Sequence, residues 1–270
     1  MHPVLFTIDV PDGLRFFLPS EITIYTYGTL IALGGILASI YTAIRAKKEL
    51  DIPYHTTNNL ALVILLASVV GGKLFFYFEK PSYYFGTLSN MWNDPGNGFV
   101  FYGSLIFAIG SILIFFKINK IPALKMLDII AFTTGIVHIF GRLGCFNAGC
   151  CHGLPHEGFL SVIFTDPACQ ARPLNVGLHP TQLYSAAMIF LILIILTVLK
   201  KYQRFEGQIF LGYVGLYAIG RSIVEEFRGD YARGFLFDDF LSHSQFISLI
   251  LLIITVYFYY KLNKRALPKK

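Results

Sequence analysis

Charge is what this chain has least of. Asp, Glu, Lys and Arg make up 14% of its 270 residues, against 55% hydrophobic, and mean hydropathy is +0.60. Soluble globular domains carry about 25% charged residues, so that class is excluded. The first twenty residues, MHPVLFTIDVPDGLRFFLPS, lack both a basic n-region and a continuous apolar run, so no cleaved signal peptide is expected. Internal repeats and low-complexity tracts are missing. No single face or segment gathers the basic residues, which argues against a nucleic-acid partner. Cysteine is scarce too, yet of four in the chain three fall within thirteen consecutive positions.

What is present is a series of long apolar runs. Stretches of about twenty mostly apolar residues, the length that crosses a bilayer, begin near Ile22, Thr57, Gly98, Leu124, Pro180, Gln208 and Gln245. They predict an all-α integral membrane protein: seven transmembrane helices in a single polytopic domain over residues 1–270, with irregular outer loops. Fourteen of the 22 basic residues lie on alternate loops: Arg45, Lys47 and Lys48; Lys117, Lys120 and Lys125; Lys200, Lys201 and Arg204; and Lys261, Lys264, Arg265, Lys269 and Lys270. The opposite side holds Arg15, Lys80, Arg172, Arg228 and Arg233. The positive-inside rule then predicts a cytoplasmic carboxyl end and an outer amino end. The net charge of +6 serves topology and contact with anionic lipid at the inner surface. Two outer segments stand out, Pro81 to Gly98 and the proline-rich LPHEGFLSVIFTDPACQARPLNVGL, the latter read as an irregular loop.

Polar residues inside the spans are the first functional clue, because a charge at bilayer depth costs roughly 2.5–3.5 kcal/mol on insertion scales. Here they are Lys73, Asp128, His138, Arg142, Arg221, Glu225 and Glu226. His138 and Arg142 lie one helical turn apart, and Arg221 and Glu225 share a face at i,i+4. Arg221 and Glu225 can neutralise each other and simply hold helices together. Arg142 then lacks an evident partner. It stands in GRLGCFNAGCCHG, between Gly141 and Gly144, where a guanidinium fork suits phosphate oxygens and glycines admit a head group. Recognition of an anionic phospholipid is the leading reading, although small residues also serve close packing of spans.

The strings "YG" at Tyr27 and Gly28, "LDIIA" at Leu127 to Ala131, "GRLG" at Gly141 to Gly144, "HPTQLY" at His179 to Tyr184 and "LYAIGRSIVEEFRGD" at Leu216 to Asp230 together resemble the bacterial prolipoprotein diacylglyceryl transferase family. Order, spacing and topology agree over nearly the whole chain. The resemblance implies an inner-membrane enzyme without cofactor or metal. Its reaction moves diacylglycerol from phosphatidylglycerol to the lipobox cysteine of a prolipoprotein signal peptide, and releases glycerol phosphate. A monomer is expected. By the same resemblance, the lipid-binding arginine of "GRxGN" falls on Arg142, and the arginine and acid of "R…VEF" on Arg221 and Glu225. The tyrosines of the first and sixth spans fall on Tyr27 and Tyr217, and the "HPSQ" histidine on His179. Two cations can hold the departing phosphate, while Tyr and His orient groups or relay protons. For His179 the alternative is a helix-start residue before Pro180, and for the tyrosines an interfacial aromatic belt.

Departures from the family pattern concentrate in one place. Where the family reads "GRxGNFxNxExxG", the asparagines are replaced by Cys145 and Ala148 and the glutamate by Cys150. A loop histidine of some members is replaced by Tyr102 in "FYGSL", so Tyr102 joins Gly141 and Gly144 as a substrate-binding candidate. Cys145, Cys150, Cys151 and Cys169 admit three readings. The first is a disulfide, with Cys145 or Cys169 as partner because adjacent Cys150 and Cys151 pair poorly. The second is a redox or nucleophilic thiol favoured by Arg142 and His152, which would make the protein a membrane thiol-redox protein on the same scaffold. The third is zinc held by Cys145, Cys150, Cys151 and one of His152 or His156, although the adjacent pair and short spacing do not match common ligand patterns.

Overall fold

In a bilayer core no water satisfies backbone amides and carbonyls, so long apolar runs fold as helices. The computed structural model describes residues 2–11, 20–87, 89–93, 98–228, 235–236 and 241–266. Arg15, Arg233, Lys269 and Lys270, counted above for topology, lie outside the described residues, as do Gly229 and Asp230. In chain order the described elements are β1 (Val4–Asp9), β2 (Glu21–Tyr25), α1 (Thr26–Leu50), α2 (Tyr54–Glu79) and the short α3 (Pro81–Tyr84) and α4 (Ser89–Asn93). Then come α5 (Phe101–Ile118), α6 (Ala123–Ala148), β3 (Val162–Ile163), β4 (Gly177–Leu178), α7 (Thr181–Lys201), α8 (Gln208–Glu225), β5 (Phe235–Leu236), β6 (Leu241–Ser242) and α9 (His243–Ala266).

Among the described residues six helices, α1, α2, α5, α6, α7 and α9, are long and apolar enough to cross a membrane. The protein is therefore a mostly helical, multi-pass membrane protein. Six of the seven expected spans start within four residues of the positions read from the sequence. The seventh, from Gln208, is helical over 18 residues but is not among the six. Gln208, Arg221 and Glu225 lower its hydropathy. Two further expectations change. The chain around Ile22 is strand before it is helix, because β1 and β2 form an exposed antiparallel hairpin with Ile8 opposite Ile22. The loop between α6 and α7 is not wholly irregular: β3 pairs with β4, and Pro155 bridges Leu178.

The chain divides into two compact units, Tyr41–Met126 and Met1–Ile40 with Leu127–Lys270. In the first, α2 and α5 pack closely because Gly71 and Gly103 let their backbones approach: a Cβ on Gly71 would sit 2.5 Å from the Gly103 carbonyl oxygen. Ser104 Oγ donates to the Ser68 carbonyl across that contact at 2.8 Å. Lys73, an apparent charge at depth, has its Nζ 5.6 Å from the Phe76 ring centroid.

The second unit packs α8 against both α7 and α9, and α6 is tied to α8 at two levels. At the lower level Asp128 of α6 accepts from the backbone amides of Gly207 (2.8 Å) and Phe210 (2.9 Å) and from Gln203 Nε2 (2.6 Å). Those amides open α8, where the first turn of any helix leaves donors unsatisfied. Asp128 thus caps α8 from another helix. Further along, His138 Nδ1 lies 3.4 Å from the Tyr213 hydroxyl and the His138 ring 5.0 Å from that of Tyr217. The two helices therefore run in the same direction, and Arg142 and Arg221 each follow this contact by one helical turn.

Candidate functional site

The site begins where α6 ends. Gly149 adopts φ +73°, its amide bonds to the Phe146 carbonyl at 3.2 Å, and the Cys150 amide bonds to the Cys145 carbonyl at 3.2 Å. This pair of bonds around a left-handed residue is a Schellman termination, which folds the residue after the glycine back onto the third residue from the helix end. Here those two residues are Cys150 and Cys145. Cys151 is also left-handed, at φ 59°, and turns the chain again. The Sγ atoms of Cys145, Cys150 and Cys151 all lie within 4.8 Å of one another.

The reversed loop is clamped from two sides. Gln182 Nε2 donates to the Cys150 carbonyl and Thr181 Oγ1 to the Cys151 carbonyl, both at 2.6 Å. The Gly153 amide bonds to the His179 carbonyl at 2.8 Å and the Leu154 amide to the Phe227 carbonyl at 3.0 Å. Thr181 and Gln182 are fully buried. The "HPTQ" string therefore holds the cysteine loop by its second pair of residues. His179 itself stacks on His156 with ring centroids 4.0 Å apart, and its Nδ1 lies 3.0 Å from the Tyr184 hydroxyl. Burial, and then the neighbouring His156, hold its pKa below the ordinary histidine value.

Two arginines, Arg142 and Arg228, lie beside the thiols, and a third, Arg221, lies near Arg228 and His138. Arg142 is half-buried, within electrostatic reach of Tyr27, His138 and Cys145, and no carboxylate among the described residues pairs with it. Arg221 forms an ion pair with Glu225, whose Oε1 also accepts from Ser244 of α9 at 2.5 Å. Arg228, buried just past α8, has its Nε 3.7 Å from Glu225 Oε2 and lies beside Cys151. The Cys150 thiol donates to the Cys145 carbonyl at 3.7 Å. The neighbouring thiols of Cys145 and Cys150, and then the Arg228 charge, draw the Cys151 thiol well below the usual cysteine value. Cys150, donor in this arrangement, is raised.

The glycines of GRLG divide. A Cβ on Gly144 would stand 3.0 Å from Tyr27 Cδ2 and 3.2 Å from its carbonyl oxygen, so this glycine lets α1 cross α6. Around Gly141 nothing lies within 4 Å of a Cβ, so its side of the helix is open. Tyr217 pairs with His138 and stacks on Tyr213. Tyr102 is exposed at the start of α5, in the other compact unit, against Phe101. Cys169 stands apart from the trio in a small core with Phe164, Ala171 and Leu178. No disulfide joins any of the four cysteines.

The structure thus brings together Tyr27, Arg142, Cys145, Cys150 and Cys151 with the pair Arg221–Glu225, and seats His179 in a separate aromatic box. Sequence reasoning missed Thr181, Gln182 and Arg228, although all three stand inside strings already singled out, and it gave no role to His138. A model of the prolipoprotein diacylglyceryl transferase family matches residues 15–261. The chain belongs to this family. Similar proteins include the phosphatidylglycerol–prolipoprotein diacylglyceryl transferase of Clostridium tetani, 37% identical over 95% of this chain and 96% of the relative. The transferase 2 of Clostridium perfringens is 33% identical, covering 89% of this chain and 91% of its own length. That of Clostridioides difficile is 32% identical over 77% and 80%. Nothing in these comparisons supports the thiol-redox reading.

Proposed function

We propose that this protein is a phosphatidylglycerol–prolipoprotein diacylglyceryl transferase of the bacterial inner membrane, spanning it seven times with the amino end outside and the carboxyl end in the cytoplasm. In this reading α8 is the seventh span, its charges tolerated because they pair inside the protein. Residues 1–270 act as one polytopic domain and one monomer. The observation that carries the reading is Arg142, a half-buried guanidinium beside the open side of Gly141, with no carboxylate partner among the described residues.

Arg142 and Arg221 hold the lipid phosphate and stabilise the charge that gathers on it as it leaves. Gly141 admits the head group, and Tyr217 and Tyr27 line its approach. The acceptor is the lipobox cysteine. Its sulfur attacks the glycerol carbon that carries the phosphate: the S–C bond forms, the C–O bond breaks, and the electron pair leaves on the phosphate oxygen. The thiol proton ends on the same departing glycerol phosphate, so atoms and charge balance without a cofactor. Tyr27, close to Arg142 and the thiols, is better placed to relay that proton than His179, whose Nδ1 is engaged by Tyr184.

The test is reconstitution in vesicles with a synthetic lipobox peptide. Phosphatidylglycerol vesicles should raise the peptide mass by one diacylglyceryl group, and phosphatidylcholine vesicles should not. A peptide with Ser in place of the lipobox Cys should stay unmodified. If the peptide mass is unchanged in phosphatidylglycerol, the reading falls.

A further inference from the structure

The linear spacing of the cysteines argues against a metal site, but the fold removes that objection. The Schellman turn folds Cys150 onto Cys145, the left-handed Cys151 brings the third sulfur in, and Gln182 and Thr181 fix the loop by its carbonyls. The loop is held by its backbone carbonyls and amides, the Cys150 thiol donates to the Cys145 carbonyl at 3.7 Å, and the three sulfurs converge with mutual distances within 4.8 Å. Four sulfurs around zinc, at about 2.3 Å each in a tetrahedron, stand about 3.8 Å apart. Closing the trio onto an ion therefore takes shifts of no more than about 1 Å, within side-chain rotation.

Histidine does not complete the set. His152 Nδ1 lies 3.0 Å from the Gly153 carbonyl oxygen, and its Nε2 accepts from the Arg172 amide at 3.4 Å. Cys169 has its Sγ 3.9 Å from the Asn147 carbonyl oxygen, away from the trio. Among the described residues only the three thiols gather as a ligand group. Soft thiolates select zinc over magnesium or calcium. Three of them around Zn²⁺ leave one net negative charge, and Arg142 beside Cys145 and Arg228 beside Cys151 are placed to balance it.

We infer that Cys145, Cys150 and Cys151 bind one zinc ion through three thiolates and leave its fourth position open. Zinc sites that serve structure alone are closed by four protein ligands, whereas three ligands and an open position mark a site that binds a reacting group. The role of that position rests on the transferase reading above, in which the acceptor is itself a thiol. A thiol that coordinates zinc is deprotonated. The acceptor sulfur enters the open position as thiolate, its proton is relayed through the Tyr27 hydroxyl to the leaving glycerol phosphate, and the sulfur forms the S–C bond as the C–O bond breaks. The thioether product is neutral and binds zinc weakly, so it departs and the ion is unchanged.

The test uses the full chain purified without a polyhistidine tag, loaded with zinc salt and dialysed. Elemental analysis should find about one zinc per chain in the wild type and in Cys169→Ser, and loss of zinc in the triple variant Cys145→Ser, Cys150→Ser, Cys151→Ser. Zinc should also protect three of the four thiols from alkylation, and a chelator should restore their labelling. Should the triple variant not fold, Cys150→Ser alone should lose zinc with an unchanged helical spectrum. Equal zinc in wild type and variant, or thiol labelling indifferent to zinc, overturns the site. If zinc binds but its removal leaves peptide modification unchanged, the open-position role is overturned. Zinc bound with no peptide modification in phosphatidylglycerol vesicles overturns the transferase reading and leaves the site standing.

Discussion

Arg142 on α6 and Arg221 on α8 each stand one helical turn past the contact of His138 with Tyr217, and the two helix ends around them are built differently. At the α8 end, Arg221 and Glu225 are nearly enclosed, with side chains 11% exposed, and Glu225 is held in turn by Ser244 of α9. At the α6 end, Arg142 meets Tyr27, a thiol and the open side of Gly141. A buried cation paired with a carboxylate is a fixed part of the protein, since removing either partner strands the other. A half-buried cation left without one is available to a ligand. The difference predicts that loss of Arg221 is felt in stability as well as in turnover, and loss of Arg142 in turnover alone.

The sharpest way to break this contrast is Arg221→Ala. It leaves the Glu225 carboxylate enclosed with only the more distant Arg228, and should destabilise the protein by roughly 3–5 kcal/mol, read as a large fall in thermal midpoint in detergent. Arg221→Met combined with Glu225→Leu should recover most of that stability without recovering transfer. A single variant that melts with the wild type would end the comparison. Arg142→Ala should do the reverse: unfolding within about 0.5 kcal/mol of wild type, and transfer in phosphatidylglycerol vesicles reduced about 10²–10³-fold. Arg142→Lys keeps the charge but loses the planar fork, and should recover only part of the rate.

Asp128→Ala tests whether the two ends are held at a common level. Loss of the cap should cost about 1–2 kcal/mol, with faster hydrogen exchange at the Gly207 and Phe210 amides and an intermediate loss of transfer. The smallest effect is expected at His179. Its folded pKa lies below the ordinary value, so the unfolded chain binds the proton first on acidification. Stability should rise with pH through the region around the ordinary histidine value of about 6.5 and level off above it. His179→Gln should flatten that slope, seen in midpoints measured between acidic and neutral pH.

The two ends also differ in how far the sequence foretold them. Arg221 and Glu225 are four residues apart on one helix, so their pairing follows from helical periodicity alone. Apolar runs of membrane-crossing length placed the helix starts for the same reason. The α6 end depends on contacts that local periodicity does not encode. Cys150 reaches Cys145 only because Gly149 terminates the helix in the left-handed region, and the loop stays in place only because Thr181 and Gln182, some thirty residues on, donate to it. Arg228 read as one more loop charge until the chain beyond α8 brought it beside Cys151. Gly141 and Gly144 look alike in sequence, and only the crossing of Tyr27 separates the one that packs from the one that opens.

The cap that Asp128 places on α8 bears on how the molecule is made. The α8 segment is the least apolar of the seven expected spans and opens with amides that its own helix cannot satisfy. Residue 128 emerges from the ribosome about eighty residues before those amides do. The acceptor is therefore already in position when α8 arrives, and a weakly inserting segment gains its partner at the moment of entry rather than after the rest of the chain has followed.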